Sequence, residues 1–192
     1  MSVYQLKSRF QNLLRPLVVR LAAKGVTANQ VTVVAALVSI ALGAFLCLNG
    51  NAIWFALVPV WLFLRMALNA VDGMLAREHG QKSKLGAYPN EIGDVISDAA
   101  LYAPFAIIAP FSALWIFAII FIATLTEFVG VTAASLGSSR RYDGPMGKSD
   151  RAVVFGVLGA WVAIDGVLPE WMFWVQPVLC LLLIVTVVKR VK

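Results

Sequence analysis

Residues 25–64 read GVTANQVTVVAALVSIALGAFLCLNGNAIWFALVPVWLFL, a stretch without one charged side chain. A membrane hydrocarbon core takes about 20 apolar residues in a helix, so this stretch holds two crossings. Asn49-Gly50-Asn51 is turn chemistry and divides it into a first span over residues 31–48 and a second over 52–76, with Pro59 placed to kink the second. Outward from there, residues 99–126 are again uncharged and are divided at 110–112. A third span over 90–109 and a fourth over 113–135 follow, then a fifth over 152–168 and a sixth over 172–188. The fold class expected is an all-α membrane protein, a six-transmembrane-helix bundle.

Composition agrees. The chain has 192 residues, 60% hydrophobic and only 14% charged, with a mean hydropathy of +0.84. A soluble domain carries about a quarter of its residues as charges. These values exclude a water-soluble globule, a disordered tail and a disulfide-stapled module. The two cysteines, Cys47 and Cys180, sit within apolar runs and read as buried small hydrophobes rather than a disulfide or metal ligands.

The net charge of +6 would suggest nucleic acid in a soluble protein, but its distribution points to a membrane instead. Lys7, Arg9, Arg15, Arg20 and Lys24 precede the first span, and Arg77, Lys82 and Lys84 follow the second. Arg140, Arg141, Lys148 and Arg151 follow the fourth, and Lys189, Arg190 and Lys192 end the chain. The other gaps between spans contain no lysine or arginine. Fifteen of the sixteen basic residues thus fall on one side, which the positive-inside rule makes the cytoplasm. Both termini are expected there, in a multi-pass protein of a bacterial inner membrane.

Residues 1–24 lack the compact apolar core of a secretory signal. Leu6, Phe10, Leu13, Leu14, Leu17, Val18 and Leu21 recur at spacings of three and four, which marks one helical face. With basic residues between them, they predict an amphipathic helix in the cytoplasmic interface. The other reading is a helix packed on the bundle. Residues 25–192 form the membrane domain.

Ionisable groups inside spans are costly and mark function by default. At 100° per residue, Arg65, Asn69, Asp72 and Ala76 share one stripe of the second span. At the start of the third, Asn90 and Asp94 are one turn apart, and Glu91, Asp94 and Asp98 share a face. Two antiparallel helices with such faces aim oxygen ligands at one point, which suits a hard divalent cation such as Mg2+ or Mn2+. Gly73 and Gly86 allow close approach of a ligand to the backbone, and Arg77 offers a planar fork for phosphate oxygens. Depth counting gives Asp98 a second reading. Arg65 lies roughly 18 Å inside Arg77 at 1.5 Å per residue, a depth similar to that of Asp98 and Glu127, so Arg65 is expected to pair with one or both. For Glu91 the second reading is a helix-start acid favoured by the dipole. Arg140 and Arg141 serve either a phosphate or the positive-inside bias alone. Trp171 and Trp174 fall where an outer aromatic belt belongs, and His79 reads as solvated.

These residues resemble the CDP-alcohol phosphatidyltransferases, whose motif is D-x-x-D-G-x-x-A-R, seven or eight residues, then G-x-x-x-D-x-x-x-D. Asp72, Gly73, Ala76, Arg77, Gly86 and Asp94 match it, while Asn69 and Asn90 replace the first and third aspartates. The Val26-Thr27-Ala28-Asn29-Gln30-Val31-Thr32 lead-in to the first span and the Gly147-Lys148 pair are also similar to the family. The resemblance implies an enzyme that moves a phosphatidyl or other substituted phosphate group from a CDP-linked donor, with CDP-diacylglycerol foremost, to an alcohol, releasing CMP. It implies one or two divalent ions on Asn69, Asp72, Asn90 and Asp94, with Glu91 or Asp98 joining. Asp94 is then ligand or catalytic base. Asp72, Gly73, Ala76, Arg77 and Gly86 contact the nucleotide, Lys148 and Arg151 a phosphate of lipid or acceptor, and the protein is a homodimer. The motif drops from four formal negative charges to two. This motivates an alternative reading, a family member that has lost catalysis and binds nucleotide or lipid as a regulator or scaffold.

Overall fold

The computed structural model describes residues 3–82 and 86–192, with side chains from Arg9 onward. Lys84 and the side chains of Leu6 and Lys7 lie outside the described residues. Seven α-helices follow in order: α1 (Val3–Ala23), α2 (Ala28–Asn49), α3 (Leu57–Glu78), α4 (Ala87–Tyr102), α5 (Ala113–Ser135), α6 (Lys148–Asp165) and α7 (Val175–Val191). Short 3-10 turns over Ala52–Ala56, Ala103–Ile107 and Glu170–Trp174 lead into α3, extend α4 and lead into α7. The described residues contain no strand.

Local chemistry sets the helix ends. Thr27 and Gln30 form a reciprocal cap at the start of α2, the Gln30 amide N–H donating to Thr27 Oγ1 at 3.2 Å and the Thr27 N–H donating to Gln30 Oε1 at 2.9 Å. The Asn49-Gly50-Asn51 turn ends it as expected: Gly50 takes φ 60°, which favours glycine, and its N–H donates to the Leu46 carbonyl at 3.1 Å. Asn51 then accepts from the Ile53 N–H at 3.2 Å and opens the 3-10 turn. Pro59 falls in the first turn of α3 rather than its interior, where the missing N–H leaves no gap in the ladder. The expected kink is therefore corrected to an ordinary helix start.

Among the described residues, four helical segments are long and apolar enough to cross a membrane: Ala28–Asn49, Ala52–Glu78, Ala113–Ser135 and Glu170–Val191. The segments expected as third and fifth spans fall short of that measure. α4 has 16 residues and carries Glu91, Asp94 and Asp98, and α6 has 18 residues and carries Lys148, Asp150, Arg151 and Asp165. Both give up apolar positions to charges, of which Asp98 and Arg151 are buried.

α2 packs on α3 and α4, α3 on α6, and α5 on α4 and α7. The larger core gathers Phe55, Leu62, Tyr102, Phe105, Phe155 and Leu183, with the Tyr102 and Phe155 rings stacked 3.8 Å apart between centroids. Lipid tails are as apolar as leucine, so helix association in a bilayer relies on close packing at small residues. Gly43 provides such a contact: a Cβ there would lie 2.1 Å from the Ala100 carbonyl oxygen of α4. At Gly156 a Cβ would meet Pro59 at an ordinary 3.7 Å. Gly43→Ala is therefore expected to cost about 1–3 kcal/mol through overpacking, and Gly156→Ala to be neutral or stabilising. The unfolding midpoint of each variant in detergent checks this. Outward faces carry Leu37, Phe63, Phe121 and Leu181, all exposed, and Trp171 and Trp174 stand exposed at the turn before α7. Neither cysteine is bonded; Cys180 is buried, whereas Cys47, expected to be buried, lies exposed on α2.

The apolar face of α1 divides. Val18 is fully buried with Val31, Val71, Met74 and Leu75, and Leu14 and Leu21 pack beside it. Phe10 meets Phe63 edge-on, and Arg15 pairs with Glu78 at 3.4 Å. Leu13 and Leu17 stay exposed. The helix is thus docked along α3 by one side of its apolar face and keeps a second apolar strip outward.

Candidate active site

The C-terminal half of α3 places Asn69, Asp72, Gly73 and Arg77 on one wall of a cavity of about 460 Å3. Asn90 and Asp94 of α4 form the facing wall, so the two motif carboxylates open onto one space. The start of α6, the 136–147 loop and the end of α7 complete the cavity through Lys148, Arg140 and Arg190. On the other side of Asp72, Gly73 and Asn90 lies a second cavity of about 220 Å3, bounded by Ala76, Gln81, Lys82 and Gly86.

Each carboxylate is held in place. Buried Asp72 accepts at Oδ2 from Thr32 Oγ1 of α2 at 2.7 Å. Asp94 Oδ1 is paired with Lys148 and lies 3.3 Å from an Arg65 nitrogen, and that same nitrogen donates to the Asp94 carbonyl at 2.9 Å. Both ion pairs of Asp94 therefore fall on a single oxygen. Gln81 ties the α3–α4 connection to α2, accepting from the Ala28 N–H at 2.7 Å and donating to the Val26 carbonyl at 3.2 Å.

Behind the cavity runs a buried ion-pair network. Arg65 pairs with Asp98, as depth counting expected. Arg151 donates to the other Asp98 oxygen at 3.1 and 2.8 Å and to Glu127 Oε1 at 3.0 Å. Arg190 reaches Glu127 Oε1 at 3.5 Å and donates to the Thr126 carbonyl at 2.5 Å and the Asp143 carbonyl at 3.2 Å. Arg140 pairs with Glu91 and, at 3.2 Å, with Glu127 Oε2. The network joins α3, α4, α5, α6, α7 and the 136–147 loop. A lone buried charge is costly, and paired, hydrogen-bonded charges avoid that cost.

This arrangement separates the expected site residues. Asp72, Asp94, Asn69 and Asn90 converge on the cavity, with Gly73, Arg77 and Lys148 beside them. Ala76 and Gly86 border the smaller cavity. Asp98 does not line either cavity, because two arginines claim both of its oxygens; it takes its structural reading. Glu91 borders the smaller cavity but spends Oε1 on Arg140. Arg151 is 2% exposed and sits behind the wall, its guanidinium divided between Asp98 and Glu127. Arg141 turns to Asp143, donating at 2.7 Å, and holds that loop carboxyl below its usual range. His79 is exposed and caps α3 through its backbone.

Among the described residues, no three histidine, cysteine, aspartate or glutamate side chains gather to hold a metal. The motif donors on the cavity are instead two carboxylates, Asp72 and Asp94, and two amides, Asn69 and Asn90, which ligate through oxygen. That chemistry fits a hard divalent cation. Sequence reasoning missed Thr32, Gln81 and Arg190. A hydroxyl one turn into a helix that enters the membrane was the available signal for Thr32; Gln81 and Arg190 carried none beyond their polarity.

The CDP-alcohol phosphatidyltransferase family model matches residues 25–188. Over 195 residues the chain is 46% identical to the inner membrane protein YnbA of Escherichia coli (strain K12), across 100% of this chain and 96% of that protein. Its fold is similar to that of the Mycobacterium tuberculosis phosphatidylinositol phosphate synthase PgsA1. The TM-score is 0.74 at 20% identity for the form with CDP-DAG bound, covering 91% of this chain and 89% of that one. For the form with manganese and citrate it is 0.73 at 19% identity, covering 91% and 85%. The matched segment, the apolar helices and the paired α3 and α4 motif lead to one conclusion: this integral membrane protein belongs to the CDP-alcohol phosphatidyltransferase family.

Proposed function

We propose that the protein transfers a phosphatidyl group from CDP-diacylglycerol to an alcohol and releases CMP. The observation that carries this reading is the convergence of Asp72 and Asp94, from separate helices, on one cavity flanked by Arg77 and Lys148. Two helices outside the four apolar segments, α4 and α6, are taken as crossings completing a six-span bundle. The basic gaps, both termini and the outward strip of α1 then lie at the cytoplasmic face, and the family resemblance adds a homodimer.

In this reading Asn69, Asp72, Asn90 and Asp94 hold one divalent cation, which when bound offsets charge on the donor's phosphates. Gly73 lets the nucleotide end approach the α3 backbone, and Arg77 offers its fork to phosphate oxygens. Lys148 and Arg65 fix Asp94 through Oδ1, leaving Oδ2 without an ion pair to take the proton of the acceptor hydroxyl. The acceptor oxygen bonds to the phosphorus attached to the lipid. The bond from that phosphorus to CMP breaks, and CMP departs with the electron pair.

Purified protein given CDP-diacylglycerol, Mg2+ or Mn2+ and a panel of alcohols is expected to release CMP in step with a new phospholipid. Absence of CMP with every alcohol and both metals, with cells carrying Asp94→Asn unaltered in lipid content, would instead favour the binding-only reading suggested by Asn69 and Asn90.

A further inference from the structure

We infer that the acceptor alcohol is an uncharged polyol rather than a phosphorylated alcohol or an amino acid; this rests on the phosphatidyl-transfer reading above. The inference comes from how the cations around the two cavities are committed. On the α3 side, Arg77 and Lys82 form no ion pair among the described residues. They flank Asp72 and Gly73, at the donor end. On the opposite side every cation is spent. Lys148 is on Asp94. Arg140 divides its two terminal nitrogens between Glu91 and Glu127, and its face is covered by the Tyr142 ring, 5.1 Å from the guanidinium carbon to the ring centroid. Arg190 is spread over Glu127 and two backbone carbonyls.

One N–H at the head of α6 is taken as well. A helix N-terminus ordinarily offers free N–H groups to a phosphate. Here Asp150 supplies the anion itself, accepting from the Gly147 N–H at 2.9 Å. A phosphate on the acceptor would have to displace Glu91, Glu127 or Asp150 from a cation or an N–H. For Glu127, 8% exposed, that removes one of the three arginines compensating a buried carboxylate, which costs more than an exposed pair returns. Hydroxyl groups face no such competition. Ser149, Tyr142 and the exposed carboxylate of Asp150 line this end, and all accept hydrogen bonds from a polyol. The cavity thus has one anionic berth, next to Arg77, and the donor's pyrophosphate fills it.

The test uses the full-length protein in lipid nanodiscs with CDP-diacylglycerol and Mg2+ or Mn2+. CMP release is compared for glycerol and myo-inositol against glycerol 3-phosphate, inositol phosphate and serine. The expected result is at least about a tenfold preference for the polyols. A readout independent of turnover is the melting temperature with saturating CDP at the donor end: added inorganic phosphate is expected to leave it unchanged. Glu91→Ala and Asp150→Ala, each of which frees one cationic or N–H group, are expected to narrow the preference and to make phosphate protective. Equal or better use of a phosphorylated alcohol or of serine by the natural protein overturns the inference and leaves the transferase intact. Protection of the natural protein by phosphate also overturns it. Release of CMP with none of the alcohols overturns the transferase reading and this inference with it.

Discussion

Asp94→Asn is expected to lower CMP release about 10²–10⁴-fold, the range for removal of a positioned acid–base group, with little change in the unfolding midpoint. The substitution keeps an oxygen for Lys148 and Arg65, so the ion pairs become hydrogen bonds and the α3–α4–α6 contact survives. What is lost is the basic oxygen that accepts a proton. Because the asparagine amide can still hydrogen-bond the acceptor hydroxyl but cannot take its proton, the loss should appear in kcat more than in acceptor KM. Steady-state CMP release at varied acceptor concentration measures both. A midpoint that falls as far as the activity would assign Asp94 to the scaffold instead.

Arg151→Met is expected to give the opposite pattern. Arg151 alone joins Asp98 of α4 to Glu127 of α5 and also reaches Thr126 Oγ1 at 3.2 Å and the Met146 carbonyl at 3.4 Å. Methionine fills similar space but leaves two buried carboxylates short of a partner. Removal of one member of such a pair costs about 3–5 kcal/mol. Unfolding in mixed micelles at neutral pH is expected to show that loss, and activity falls only in proportion to the folded fraction. Glu127→Gln in the Arg151→Met background should recover part of it, since one uncompensated charge disappears. Independent additive losses in the double variant would contradict the network.

The apolar runs and the Asn49-Gly50-Asn51 turn were legible because their physics is local: hydropathy, span length and a glycine's left-handed turn act within a few residues. The α3 and α4 motif faces were legible for the same reason, since 100° per residue fixes which side chains share a stripe. The Arg65–Asp98 pair followed from depth alone, because a buried cation must find a carboxylate at its own level. Partner choice was not legible where several carboxylates share one level. Arg140 with Glu91 and Glu127, and Arg190 with Glu127, depend on how the 136–147 loop and α7 fold back against α5. No periodicity encodes that. Charge spacing likewise showed that Lys148 and Arg151 enter α6 together but not that their separation of about 60° around the helix sends one into the cavity and the other into the ion-pair core. For α1, the pattern marked an apolar face without naming what covers it; α3 takes only half of it.

The most direct test of the account is Mn2+ binding followed by electron paramagnetic resonance in the presence of CDP-diacylglycerol. The account predicts a saturable, donor-dependent bound-Mn2+ signal that disappears in Asp72→Asn and persists in Arg141→Ala, because the cation and the donor's phosphates meet between α3 and α4. Saturating Mn2+ and donor with no bound signal, or a signal unaffected by Asp72→Asn, would contradict it.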